Sequence, residues 1–137
     1  MKLKVLHRTR YTIAAAMNGD ECETETFLND ISTKYQASAE GLIHLIERIA
    51  EHGLDGLSTK LCHLVDKENK IYELIKGDLR LLFFKGHCDI LIITSHGFLK
   101  KSQKTPDNEK NKAVRYKKQY QQAHDAENID LIEDREE

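Results

Sequence analysis

Hydrophobic and polar positions along the chain change period several times, and each change marks an element. Over residues 3–13, Leu3, Val5, His7, Thr9, Tyr11 and Ile13 alternate with Lys4, Leu6, Arg8, Arg10 and Thr12. A period of two predicts a single half-buried strand here. Asn18-Gly19-Asp20 is turn chemistry, and after it Phe27, Leu28, Ile31 and Tyr35 are spaced as one face of a short amphipathic helix. From Ser38, the residues Leu42, Leu45, Ile46, Ile49 and Ala50 recur with a helical period, and Gly53 stands where a left-handed C-terminal cap belongs. A second helix is predicted there.

Beyond Gly56 the pattern is ambiguous until three short apolar runs begin: Ile71 to Ile75, Leu79 to Phe84 and Asp89 to Ser95. The links Lys76-Gly77-Asp78 and Lys85-Gly86-His87 are short and contain glycine, which predicts an antiparallel meander. The second and third runs are apolar at almost every position, as in strands covered on both faces. Thr105-Pro106-Asp107 announces a last helix, with Thr105 as N-cap and proline at the first position. Along it Glu109, Ala113, Tyr116, Tyr120 and Ala123 share a narrow face. The segment 124–137 offers little to bury beyond Ile129, Leu131 and Ile132, so a frayed acidic tail is expected. The predicted fold is α+β: two N-terminal helices packed on a small antiparallel sheet, with a C-terminal helix, in one domain over 1–123 followed by a flexible tail over 124–137.

Composition narrows the class. A chain of 137 residues with 39% apolar and 32% charged side chains fits one soluble domain. No apolar run approaches the roughly 20 residues that cross a bilayer, so no membrane association is expected. The first ten residues lack the apolar stretch of a secretion signal, and a cytoplasmic location is the expectation. Cys22, Cys62 and Cys88 are too few and too scattered for a disulfide framework or a thiolate zinc site.

Charge changes the picture more, because the net charge of -2 conceals segregation. Residues 1–98 carry 12 basic and 14 acidic groups; residues 99–123 carry eight basic against two acidic, a balance of +6; residues 124–137 carry seven acidic against Arg135, a balance of -6. The basic block, with Lys104, Lys110, Lys112, Arg115, Lys117 and Lys118 as candidate RNA-binding residues, is a footprint suited to a polyanion or a solvated helix face. The acidic tail tethered after it either competes for the same surface or is a solubilising extension without regulatory effect.

Three features carry candidate chemistry. Arg80 interrupts a strand that otherwise reads as buried, and a guanidinium cannot shed its charge, so it must meet an anion or face a cleft. It is either a structural partner of Glu73, which lies diagonally on the same face if Gly77-Asp78 is a two-residue turn, or a substrate-binding group. Lys100, Lys101 and Lys104 sit between the last strand and a helix N-terminus; they form either a phosphate site or a flexible loop. His96, at the expected strand end, is either an acid/base or a packed neutral ring. There is no phosphate-cradling glycine loop, no His-Glu-x-x-His, no nucleophile elbow and no EF-hand pattern, so neither a metal nor a cofactor is expected.

Taken in order, Ile71-Tyr72-Glu73-Leu74, Arg80 within the next strand, and His96-Gly97-Phe98-Leu99-Lys100-Lys101-Ser102-Gln103-Lys104-Thr105-Pro106 before a helix with Ala113, Arg115 and Tyr120 form a recognisable series. Over residues 71–120 it resembles the phage-derived HigB-like branch of the RelE superfamily of toxins. The resemblance implies a metal-independent endoribonuclease that cleaves mRNA on the ribosome and is neutralised by a cognate antitoxin, expected to be a helix-turn-helix protein. It also implies that Arg80 is the strand arginine, that Lys100, Lys101 and Lys104 form the basic loop, and that Glu73 is the glutamate of a Glu-Leu-Arg piece. Ile75 stands where that piece has a basic residue. The candidate catalytic set is therefore Arg80, Lys100, Lys101, Glu73 and His96. The rival reading is a protein that binds RNA or an antitoxin without cleaving.

Overall fold

The computed structural model describes residues 1–134; of the acidic tail, Arg135 to Glu137 lie outside the described residues. The elements in chain order are β1 (Lys2–Arg8), β2 (Thr12–Ala16), α1 (Glu23–Asn29), α2 (Gln36–His52), β3 (Cys62–Asp66), β4 (Ile71–Lys76), β5 (Leu79–Lys85), β6 (Ile90–Leu99), α3 (Asp107–Asp125) and β7 (Asp130–Ile132), with a 3-10 turn over Thr33–Tyr35 before α2. The strands form one seven-stranded sheet in the order β3-β4-β5-β6-β2-β1-β7. It is mixed: β2 runs parallel to β6 and β7 parallel to β1, while the other pairs are antiparallel.

This architecture corrects the predicted one. The sheet is neither small nor purely antiparallel, two strands precede the first helix, and the helices occupy opposite faces. The alternation over residues 3–13 belongs to two strands, because the chain reverses between Arg8 and Thr12, whose Cα atoms pair across the hairpin. No glycine, proline or asparagine marks that reversal, so the period of two runs through it. The ambiguous stretch after Gly56 supplies the edge strand β3, and the acidic segment supplies β7 on the other edge.

Two apolar layers flank the sheet. On one side Leu42, Leu45, Ile46, Ile49 and Ala50 of α2 pack on Ile13, Leu74, Leu79, Leu81, Phe83 and Ile92. Leu42 and Ile49 are fully buried, and each such side chain stabilises the fold by roughly 1.5–3 kcal/mol. On the other side Ala113, Tyr116 and Tyr120 of α3 cover Leu3, Ala14, Ile71, Leu82, Phe84 and Ile93. The strands β5 and β2 are thus buried on both faces, which explains why, Arg80 apart, their central positions are apolar.

β6 outruns its neighbour β2, whose pairing with it stops at Ala15↔Thr94. The start of α1 closes the gap: Thr24 hydrogen-bonds the buried Thr94 at 2.8 Å, and the Phe27 ring lies where a Cβ on Gly97 would stand. At the far edge, β7 brings Glu133 and Asp134 to β1, where they pair with Arg8 and Lys4. Glu133 and Asp134 of the acidic segment therefore lie against β1 and pair with its cations, not with those of the basic block.

Candidate functional site

Strand alternation assigns Arg80, Leu82 and Phe84 to the sheet face that α3 covers. α3 begins only at Asp107, so the ground beside Arg80 is left to the loop 100–106, and a cleft of about 90 Å³ opens there. Its floor is Arg80 with its cross-strand partner Phe98. Glu73 and Ile75 of β4 and His63 of β3 form one wall, and the loop carrying Lys100, Lys101 and Lys104 forms the other. Pockets that hold a drug-sized ligand start at roughly 300 Å³; this cleft fits a phosphate group and not a whole nucleotide.

The register that builds the cleft depends on a two-residue turn. Lys76 pairs with Leu79 and Ile75 with Arg80 across Gly77-Asp78, which puts Glu73 diagonal to Arg80 on the same face. Gly77 supplies the positive φ of +56° that the first turn position needs. Glu73 and Arg80 are 3% and 7% exposed, so each charge requires partners. The Nη1 of Arg80 donates to the carbonyls of Gly77 at 2.7 Å and Leu79 at 2.9 Å, and its Nε lies 3.5 Å from Glu73 Oε1. The Nη2 group has no protein acceptor among the described residues, which leaves two N–H donors of a cleft-lining guanidinium for a ligand.

Glu73 is held from three sides. Its Oε2 accepts from the Thr105 hydroxyl at 2.8 Å, and its Oε1 lies near both Arg80 Nε and, at 3.4 Å, His63 Nε2. Thr105 is therefore not the cap predicted for the last helix: Pro106 occupies the N-cap position, and the Thr105 side chain ties the loop to the sheet. The loop is further fixed by the Lys100 N–H donating to the Asp78 carbonyl at 2.8 Å and by the Ser102 hydroxyl donating to the Lys104 carbonyl. Lys100, Lys101 and Lys104 are exposed and have no carboxylate partner within ion-pair distance among the described residues.

Of the candidate catalytic residues, Arg80, Glu73, Lys100 and Lys101 come together in this cleft, and Lys104 joins them. His96 does not line it. It is 3% exposed, packed between the sheet and α3, with Nδ1 2.8 Å from the Ser95 hydroxyl and Nε2 3.4 Å from Glu109 without a hydrogen bond. Burial lowers its pKa against the opposing pull of Glu109, and the ring is held neutral.

The remaining cations of the basic block divide. Lys112 and the Tyr116 hydroxyl both bond Glu23 at the start of α1. Burial pushes the Glu23 pKa up, but these two bonds outweigh it and the net shift is downward. Lys117 donates to the Asn69 carbonyl, and Lys110 lies 3.9 Å from Asp107. Arg115 and Lys118 are exposed. Among the described residues, no group of three His, Cys, Asp or Glu side chains is placed to hold a metal ion, and no helix is long and apolar enough to cross a membrane.

Sequence reasoning missed His63, Phe98 and the role of Thr105. His63 falls on the stretch whose pattern is ambiguous, and its approach to Glu73 arises from the β3–β4 register.

A small domain with a mixed seven-stranded sheet, helices on both faces and a cationic, phosphate-sized cleft is the class that this geometry defines. Residues 26–118, from α1 to the second half of α3, match the family described as Phage derived protein Gp49-like (DUF891). The chain belongs to that family, which is associated with the toxins of toxin–antitoxin systems and so with an antitoxin partner. No curated protein matches the chain.

Proposed function

We propose that this protein is the toxin of a type II toxin–antitoxin module and acts as an endoribonuclease on mRNA, on the ribosome, as a HigB-like member of the RelE superfamily. The observation that carries this reading is the pair of free Arg80 Nη2 donors in a cleft of phosphate size, faced by three lysines without described carboxylate partners. Cleavage of this kind proceeds by in-line attack of the ribose 2′-hydroxyl on the adjacent phosphate, through a crowded, highly charged phosphorane. The Arg80 fork receives the phosphate oxygens, and its orientation is set beforehand by Glu73 and two carbonyls, so little reorganisation accompanies the reaction. Lys100, Lys101 and Lys104 add positive charge where negative charge accumulates.

The cleft's small volume supports a mode in which one phosphodiester enters and the bases stay outside. Arg115 and Lys118, both exposed on α3, are further cations of the block open to a neighbouring strand of RNA. The antitoxin is proposed to be a helix-turn-helix protein encoded beside this chain, and the protein to work in the cytoplasm.

Expression without the antitoxin tests the reading. New 5′ ends should appear inside coding regions by primer extension as growth stops, and intact transcripts in cells that hold folded protein would overturn it. A second reading rests on Ile75, which lines the cleft directly across from Arg80 where the resembling toxins have a basic residue. On that reading the protein binds RNA or antitoxin without cutting; RNA bound at unchanged length by purified protein would be its signature.

A further inference from the structure

We infer that His63 is the general base of this cleft, a role that rests on the nuclease reading above and that falls to a residue outside the arginine and lysine set. His63 sits on β3 directly opposite Glu73 and forms part of the cleft wall. Its side chain is 40% exposed, whereas those of Glu73 and Arg80 are 4% and 8%. Of the groups on that wall, it is the one with both a titratable nitrogen and access to a ligand.

The tautomer follows from the neighbours. His63 Nδ1 lies 3.2 Å from the Thr59 carbonyl, which can only accept, so Nδ1 carries the proton. The neutral ring then presents a bare lone pair at Nε2. That atom is 3.4 Å from Glu73 Oε1, too far for a hydrogen bond and close enough to stabilise an imidazolium once one forms. With Nδ1–H fixed by the Thr59 carbonyl, Nε2 is left as the nitrogen that can accept a proton, which is what general-base catalysis asks of a histidine. Glu73 itself is a poor candidate for the same task, because it is nearly inaccessible and its Oε2 is committed to Thr105.

In the cleavage step, His63 Nε2 takes the 2′-hydroxyl proton as the 2′-oxygen attacks phosphorus. The bond from phosphorus to the 5′-oxygen breaks on the opposite side, and an ammonium of the lysine loop, Lys100 or Lys101, gives its proton to the departing oxygen. The products are a 2′,3′-cyclic phosphate and a 5′-hydroxyl. The charged groups facing His63 are Glu73 of β4, Arg80 of β5 and the lysines of the loop.

The test uses the full chain and an mRNA carrying a single bridging 5′-sulfur at the cleaved phosphate, with the all-oxygen mRNA as control, each with and without ribosomes. Sulfur departs without protonation, so it rescues the loss of an acid and not the loss of a base. His63→Gln should slow cleavage by about 10²–10⁴-fold on both substrates, while the double variant Lys100→Gln, Lys101→Gln should be slow on oxygen and recover on sulfur. RNA binding and the melting temperature of His63→Gln should stay at wild-type values. An active wild type with an equally active His63→Gln overturns the assignment alone, as does recovery of His63→Gln on sulfur. A folded wild type that cuts neither mRNA overturns the nuclease reading and this inference together.

Discussion

On β1, Lys2 lies 2.6 Å from Asp20, Lys4 lies 2.6 Å from Asp134 and 3.6 Å from Glu25, and Arg8 meets Glu133. Across the molecule, Lys100, Lys101 and Lys104 stand around a cleft with no described carboxylate within ion-pair distance of any of them. Both surfaces carry a cluster of cations, and they differ in what a polyanion would meet. On β1 it would have to displace carboxylates that the fold holds in place; at the cleft it would find unneutralised charge beside a guanidinium with two free donors. A count of charge along the sequence locates cations. Only the partners show which of them are available to a ligand.

Arg80→Ala breaks the comparison most severely. Loss of a preorganised donor set of this kind should lower RNA cleavage by about 10²–10³-fold. It should also lower the melting temperature, because removing one member of a buried pair strands the other at a cost of roughly 3–5 kcal/mol. The double variant Arg80→Ala, Glu73→Gln separates the two effects: thermal unfolding should return toward wild type while cleavage stays at the lowered rate. Next in size is the salt dependence. With Lys100, Lys101 and Lys104 all changed to Gln, the slope of log affinity against log salt for single-stranded RNA should flatten by about 2, at roughly 0.7 for each phosphate no longer neutralised. Lys4→Gln with Arg8→Gln should leave that slope unchanged.

A smaller effect is expected from Glu133→Gln with Asp134→Asn. These exposed pairs each contribute roughly 0.2–1 kcal/mol, so denaturant unfolding should register a modest loss and RNA affinity none. Tighter RNA binding in this variant would show that the acidic segment shields the cationic cleft after all. The smallest effect concerns acid. Glu23 has its carboxyl held below its ordinary pKa by Lys112 and Tyr116, so its contribution is present above the ordinary carboxylate range and is lost as pH falls through the lowered value. The stability of Glu23→Gln, followed by urea unfolding from neutral pH downward, should fall less steeply than that of the wild type.

Much of the cleft was legible before any coordinate. Arg80 declared itself by interrupting an apolar run, the turn Gly77-Asp78 set its diagonal relation to Glu73, and the lysines were placed by their position between a strand and a helix. Each of these signals is local, carried by residues within about a dozen positions of one another. His63 and Thr105 emitted no such signal. His63 lies ten residues before Glu73 on a stretch without clear alternation, and Thr105 is 32 residues beyond it in a position that reads equally well as a helix cap. What brought them to one carboxylate was strand pairing and loop closure, neither of which leaves a periodicity to read.

The same division holds for the fold. The spacing of apolar side chains by itself determined α2, the stripe of α3 and the three-stranded meander, because each of these buries a face whose period the chain must obey. The partition of β1 from β2, the parallel joining of β2 to β6, the edge strands β3 and β7 and the seat of the acidic segment on β1 were decided by the tertiary structure. Parallel pairing and sheet order link residues dozens of positions apart through backbone hydrogen bonds that any side chain permits. The neutral or available state of each cation was settled the same way, by which carboxylate the folded backbone carried to within a few ångströms of it.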